Sequence, residues 1–213
     1  MLGSMRITKH SHACVRLDDG DRSLLLDPGI WAAPEVYDGV DEVLLTHEHM
    51  DHVDVEALTA LAARRSSLRV HAPAPVAEML AALGDAVVTV APGDALVVGG
   101  FDVQVVGGRH ADIYDSLPGC ANVGYVVDGS VYHPGDALFV PEQQIATLLL
   151  PVSGPWLKLA EAIDFARAVA PQRALPIHDA LLSPEGAGIV DRWLGMKAET
   201  DYSRVPDGES LDV

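Results

Sequence analysis

The apolar positions of the chain recur first with the two-residue period of strands and only later with the wider period of helices. Arg6–Lys9, Ala13–Leu17 and Ser23–Asp27 read as short strands, with Asp18-Asp19-Gly20-Asp21 as the turn between the second and third. Val43–Thr46 predicts a further apolar strand that stops at a run of polar residues. Over Val53–Arg65, Val55, Leu58, Leu61 and Ala62 fall on one helical face, so a helix is expected there. A strand at Leu68–His71 and a helix at Val76–Leu83 closed by Gly84 follow.

From Val87 the pattern returns to strands, at Val87–Val90, Ala95–Val98, Phe101–Val106, Val123–Val127 and Ser130–Tyr132. A strand at Thr147–Leu150, a helix at Leu157–Val169, a strand at Arg173–Ile177 and a helix at Pro184–Met196 complete the order. Each half therefore runs strands first and strand–helix alternation second. That duplication predicts two sheets packed face to face with helices outside. No linker or low-complexity stretch divides the chain, so residues 5–213 are expected to form one domain, with Met1–Ser4 read as a cloning scar.

Composition narrows the function. The 213 residues carry 31 acidic and 14 basic side chains, a formal charge of −17, yet 49 % of positions are hydrophobic. A disordered acidic chain is excluded by that apolar content. Nucleic acid is not an expected partner, because phosphate backbones call for clustered Lys and Arg. No apolar run is long enough to span a bilayer and the start lacks a signal-peptide pattern, so no membrane association and a cytoplasmic location are expected. Cys14 and Cys120 match no zinc or redox spacing. The nine histidines are what remains to be explained.

The informative segment is Thr46-His47-Glu48-His49-Met50-Asp51-His52, directly after an apolar strand. Residues i and i+2 of a strand face the same side, so His47 and His49 can face one metal together. Asp51 and His52 follow after the backbone has turned and can reach a second. Imidazole and carboxylate suit zinc, manganese or iron. A zincin is excluded because Asp51 occupies the position of its second histidine, and neither a Gly-x-Ser-x-Gly elbow nor a P-loop is present.

This segment resembles the His-x-His-x-Asp-His signature of the metallo-β-lactamase superfamily, and later segments match in order. Arg109-His110 matches its third histidine, Pro134-Gly135-Asp136-Ala137 its bridging aspartate and Ile177-His178-Asp179 its last histidine. Lys9-His10-Ser11-His12-Ala13-Cys14 is similar to the Gly-His-Ser/Ala-Cys first strand of the compact, lactonase-like and phosphodiesterase-like branch, with Ser11 in place of glycine. The resemblance implies a four-layer αβ/βα sandwich of two mixed β-sheets with helices outside. It implies that His47, His49 and His110 hold one divalent metal and Asp51, His52 and His178 another, with Asp136 bridging. Zinc is the first expectation for both ions, and manganese accepts the same set.

The implied activity is hydrolysis of a small ester, lactone or phosphodiester by a hydroxide bridging the metals, with Asp51 and Asp136 as catalytic residues. His12 reads either as a contact to substrate or metal ligand, or as a core histidine. His133 reads as a support for Asp136 or as packing, Asp27 as a loop-fixing residue, and His10 and His71 as ordinary structure. Trp31, Tyr114 and Trp156 fall in loops and are candidates for a substrate pocket wall. Arg109 and Lys158 are the basic residues nearest the signatures. A small-molecule substrate is the expected partner, and self-association is compatible with the sequence. The competing functions are an RNA-processing nuclease of the same superfamily and a non-catalytic metal-binding scaffold.

Overall fold

The computed structural model describes residues 5–115, 117 and 119–213, so the scar expected at Met1–Ser4 lies outside the described residues. The first half of the chain supplies β1 (Arg6–Lys9), β2 (Val15–Asp19), β3 (Arg22–Leu26), β4 (Glu42–Leu44), β5 (Arg69–Ala72) and β6 (Val87–Thr89). The second half supplies β7 (Ala95–Val98), β8 (Phe101–Gly107), β9 (Val123–Val127), β10 (Val131–His133), β11 (Thr147–Pro151) and β12 (Arg173–Ile177). Two short strands, β13 (Asp201–Tyr202) and β14 (Ser210–Asp212), come from the C-terminal segment. Helices α1 (Val55–Arg64), α2 (Ala74–Met79), α3 (Leu159–Val169) and α4 (Pro184–Lys197) connect the strands.

The strands form two mixed seven-stranded sheets, ordered β14-β1-β2-β3-β4-β5-β6 and β13-β12-β11-β10-β9-β8-β7. Their packing follows from residue alternation. Leu24 and Leu26 of β3 enter the core between the sheets, while Leu25 between them faces the helical layer. On the other sheet Leu149 of β11 points into the central core, and Leu148 and Leu150 point under α3 and α4. A strand buried on both faces must be apolar at every position, which is why β3 and β11 read as continuous leucine runs. Phe101, Val103, Val105, Val123 and Tyr125 fill the central layer from the second sheet. Leu58 and Leu61 of α1 cover the first sheet, and Phe165, Ala166 and Leu194 of α3 and α4 cover the second. This is the αβ/βα sandwich expected.

Helix starts follow local chemistry. Asp54 caps α1 by accepting from the Ala57 N–H at 2.9 Å, and Ser183 caps α4 by accepting from the Gly186 N–H at 3.1 Å, with Pro184 in the first turn. The expected Val76–Leu83 helix is instead the six-residue α2 followed by a 3-10 stretch at Ala81–Ala86. Gly84 within that stretch sits at φ +57°, so the regular helix cannot run to it. The pairs β1–β14 and β12–β13 were not foreseen. Ile7 pairs Leu211 and Ala174 pairs Tyr202, in strands of two or three residues too short to show a period.

No helix among the described residues is long and apolar enough to cross a membrane.

Candidate metal centre

Six backbone segments converge on one rim of the sandwich: the β1–β2 turn with His12, the ends of β3, β4, β8 and β10, and the end of β12 with His178. Each strand end releases its last side chains outward, so short polar segments there meet across the two sheets. Three of the six left-handed non-glycine residues among those described, His12 (φ +60°), Asp27 (φ +44°) and His178 (φ +57°), lie here. Such conformations cost on the order of 1–3 kcal/mol each and persist where surrounding contacts enforce them.

Two groups of donor atoms are brought together. His47, His49, His110 and Asp136 form one, and His12, Asp51, His52 and His178 the other, with the donor atoms of each group within 4.8 Å of one another. Asp136 also belongs to the second by distance. Its Oδ1 lies 3.1 Å from His52 Nε2, and its Oδ2 lies 3.0 Å from His178 Nε2 and 3.3 Å from His110 Nε2.

The ring protons are directed away from this centre. Asp27 is fully buried and accepts from the Thr46 N–H at 2.8 Å, the Thr46 hydroxyl at 2.7 Å and His52 Nδ1–H at 2.7 Å. Because the Thr46 hydroxyl gives its proton to Asp27, it accepts from His47 Nδ1–H at 3.0 Å. His110 Nδ1–H donates to the Ala111 carbonyl at 2.5 Å. Three histidines thereby turn Nε2 towards one point, as ligands oriented by outer partners do. Against its burial, Asp136 and Asp27 raise the His52 pKa well above the ordinary value, so this ring carries the charge that a bound cation would replace.

The donor chemistry fits divalent cations. The Nε2 atoms of His52, His110 and His178 and Oδ1 of Asp136 are buried and make no hydrogen bond. Buried nitrogen and oxygen donors gathered at one point without hydrogen-bond partners are costly unless a cation takes them. Burial drives the His47 pKa well below the ordinary value, keeping it neutral. Burial opposes charge on Asp51 as well, but the His12 hydrogen bond and nearby His52 bring its carboxyl down to about 2. Asp136 is held well below the usual carboxylate range against its burial, chiefly by His52.

His12 is buried, and its Nδ1 accepts from the Ala180 N–H at 3.2 Å. Its Nε2 is therefore free to donate to Asp51 Oδ2, 3.2 Å away. His133 holds the turn before Asp136, accepting from the Gly135 N–H on Nδ1 and donating from Nε2 to the Ala13 carbonyl. Asn122, which showed no sequence signal beyond being a polar residue beside a strand, does the same from the other side. Its amide donates to the Pro134 carbonyl and its oxygen accepts from the Asp136 N–H, both at 2.9 Å. Gly135 is required between them: a Cβ there would lie 2.4 Å from the Asn122 oxygen.

The aromatic candidates separate. Trp156 is buried, and its indole N–H donates to Asp136 Oδ2 at 3.0 Å, so it holds the central carboxylate rather than only walling a pocket. Trp31 packs edge-on against His12 at 4.8 Å and is 42 % exposed. Tyr114 is 70 % exposed. Arg109 lies 2.6 Å from Asp112 and Lys158 3.8 Å from Glu161, both in exposed i,i+3 pairs.

The C-terminal segment anchors His178. Asp179 accepts from buried Lys9 Nζ at 3.1 Å and from Arg204, which also grips Asp191 through two 2.8 Å bonds. Ser153 donates to the His178 carbonyl at 2.6 Å.

A family model for the beta-lactamase superfamily domain matches residues 6–178, a span that holds all seven expected ligands. The chain belongs to the metallo-β-lactamase superfamily. Protein Rv0786c of Mycobacterium tuberculosis is 38 % identical to this superfamily member, over 97 % of this chain and 99 % of that one. A UPF0173 metal-dependent hydrolase of Methanoregula boonei is 30 % identical, over 98 % of each chain. Among solved structures, the metallo hydrolase Igni18 of Ignicoccus hospitalis superposes with a TM-score of 0.78 at 19 % identity, covering 99 % of this chain and 98 % of that one.

Within this metallo-β-lactamase fold, Asp27 is the outer residue with the widest reach. Asp27→Asn keeps the tolerance for positive φ but removes the charge that orients Thr46, His47 and His52. Metal affinity is expected to fall by about 10- to 100-fold in competition titrations against a fluorescent chelator. Unchanged affinity would show that these rings are positioned by something else.

Proposed function

We propose that the protein is a hydrolase that holds two divalent cations and cleaves a small ester, lactone or phosphodiester. The observation that carries this reading is the shared position of Asp136, whose carboxylate oxygens lie within 3.3 Å of imidazole nitrogens from both donor groups. The relative from Methanoregula boonei, named a metal-dependent hydrolase, supports the reaction class.

His47, His49 and His110 would hold one cation, Asp51, His52 and His178 the other, and Asp136 both. Cations bound there would supply Lewis acidity, polarising a substrate oxygen and making water nucleophilic near neutral pH. The rest falls to the chain. Trp156 and the Asn122–His133 brace keep the Asp136 carboxylate in one orientation. Asp51 is partly exposed on the open side, with His12 fixing one of its oxygens, so its carboxylate is available to orient a water molecule or accept its proton. Zinc and manganese both suit the nitrogen and oxygen donors, zinc being the first choice. The protein is further proposed to be a cytoplasmic single-domain enzyme acting on a small molecule.

Chelator-treated protein is expected to lose hydrolysis of ester, lactone and phosphodiester probes and to regain it with zinc or manganese added separately. Elemental analysis should find about two metal ions per chain. Full activity after exhaustive metal removal would overturn the reading.

A further inference from the structure

Large apolar side chains left exposed are normally scattered over a protein surface. Here, nine of the fourteen such residues among those described lie on the loops that carry or flank the metal-site residues. Two of them are placed against the ligands themselves. Ile113 and Leu117 line a cavity together with His49, His110, Glu48 and Cys120. Phe139 lines a second hollow that His110 also borders, and Trp31 stands edge-on against His12.

The charges of the same loops point one way. The two basic residues there, Arg109 and Lys158, are each paired with an acid. Of the two carboxylates lining the cavity, Asp112 is the partner of Arg109 and is offset by it, so Glu48 supplies the remaining negative charge. A cation pair attracts an anionic scissile group, but the parts of a substrate beyond that group meet one carboxylate and hydrocarbon. An anionic diester therefore gains no second anchor, whereas an uncharged chain gains apolar contact.

We propose that the substrate is an uncharged carboxylic ester whose apolar acyl part lies over Ile113 and Leu117, rather than a phosphodiester. This rests on the hydrolase reading above and narrows it. The oxygen of water bonds to the acyl carbon, the ester C–O bond breaks, the alkoxy group leaves as the alcohol with one proton of the water, and the acid leaves as carboxylate with release of the other proton.

The test compares p-nitrophenyl acetate, butyrate and hexanoate with bis(p-nitrophenyl) phosphate, using zinc- and manganese-loaded protein. Full transfer of a methylene out of water corresponds to about a fourfold gain. From acetate to hexanoate, kcat/KM should therefore rise at least about tenfold and exceed that for the phosphodiester. In Ile113→Asp and Leu117→Asp the hexanoate-to-acetate ratio should fall towards one. Both residues are exposed, so folding is expected to survive, as circular dichroism would verify. Metal-dependent turnover that prefers the phosphodiester, or that is indifferent to chain length, overturns this proposal and leaves the hydrolase reading standing. A ratio unmoved in both variants also overturns it, because the chain then lies elsewhere. No metal-dependent turnover of any of these four probes also overturns this proposal, while the lactone probe and the metal analysis decide the hydrolase reading separately.

Discussion

Asp136→Asn is expected to lower kcat by more than the roughly 100-fold that marks the upper end for losing an outer partner of a ligand. It is also expected to reduce bound metal below two ions per chain. The substitution preserves shape, and its backbone N–H can still donate to Asn122. It can keep one oxygen for the Trp156 indole. What it removes is the negative charge around which His52, His110 and His178 are gathered. Thermal melting should show a folded protein, while elemental analysis and ester hydrolysis show the loss. Wild-type metal content and rate in this variant would mean that Asp136 does not join the two donor groups.

The second large effect requires no change of chemistry at all. A Cβ built on Gly29 would stand 2.0 Å from the carbonyl oxygen of Asp51 and 2.7 Å from the nitrogen of His52. Both contacts are to backbone, which cannot swing aside as a flexible side-chain end would. Gly29→Ala must therefore displace either the Asp27–Gly29 turn or the Asp51–His52 segment by about an ångström. Misplacement of reacting groups by that amount can cost about 100-fold in rate. Overpacking should also destabilise the fold by about 1–3 kcal/mol. Gly188→Ala in α4 is the matched comparison, because a Cβ there meets nothing within 4 Å and alanine favours helix. It should raise stability by about 0.4–1 kcal/mol, with activity unchanged. Equal behaviour of the two variants in denaturant titration and turnover would refute the close-approach argument.

These two expectations draw on different levels of information. Asp136 was legible in the chain as a Pro-Gly-Asp turn at a strand end. Gly29 was visible only as part of a turn, because its necessity comes from a segment more than twenty residues away. The same division runs through the fold. Leu24–Leu26 and Leu148–Leu150 announced buried strands, since hydrocarbon on both faces needs no partner to be recognised. The strands β13 and β14 announced nothing. A two- or three-residue strand has no period of its own, and its hydrogen bonds come from Arg173–Ala174 and from Arg6–Thr8.

The site divides in the same manner. The sequence by itself determined which residue types stand at the strand ends, because alternation and a turn are local properties, and the resemblance of those segments to the superfamily's signatures implied the ligand set. Tertiary structure decided which nitrogen His47 and His52 present, since Asp27, 19 and 25 residues away, accepts from the Thr46 hydroxyl, which in turn accepts from His47, and from the His52 ring. It decided that His12 reaches Asp51 and that Trp156 grips Asp136, contacts that span 39 and 20 residues. It also gathered exposed apolar side chains from separate loops around one rim. Hydrogen-bond direction and surface patches are relations between distant segments, and no pattern along a single chain encodes them.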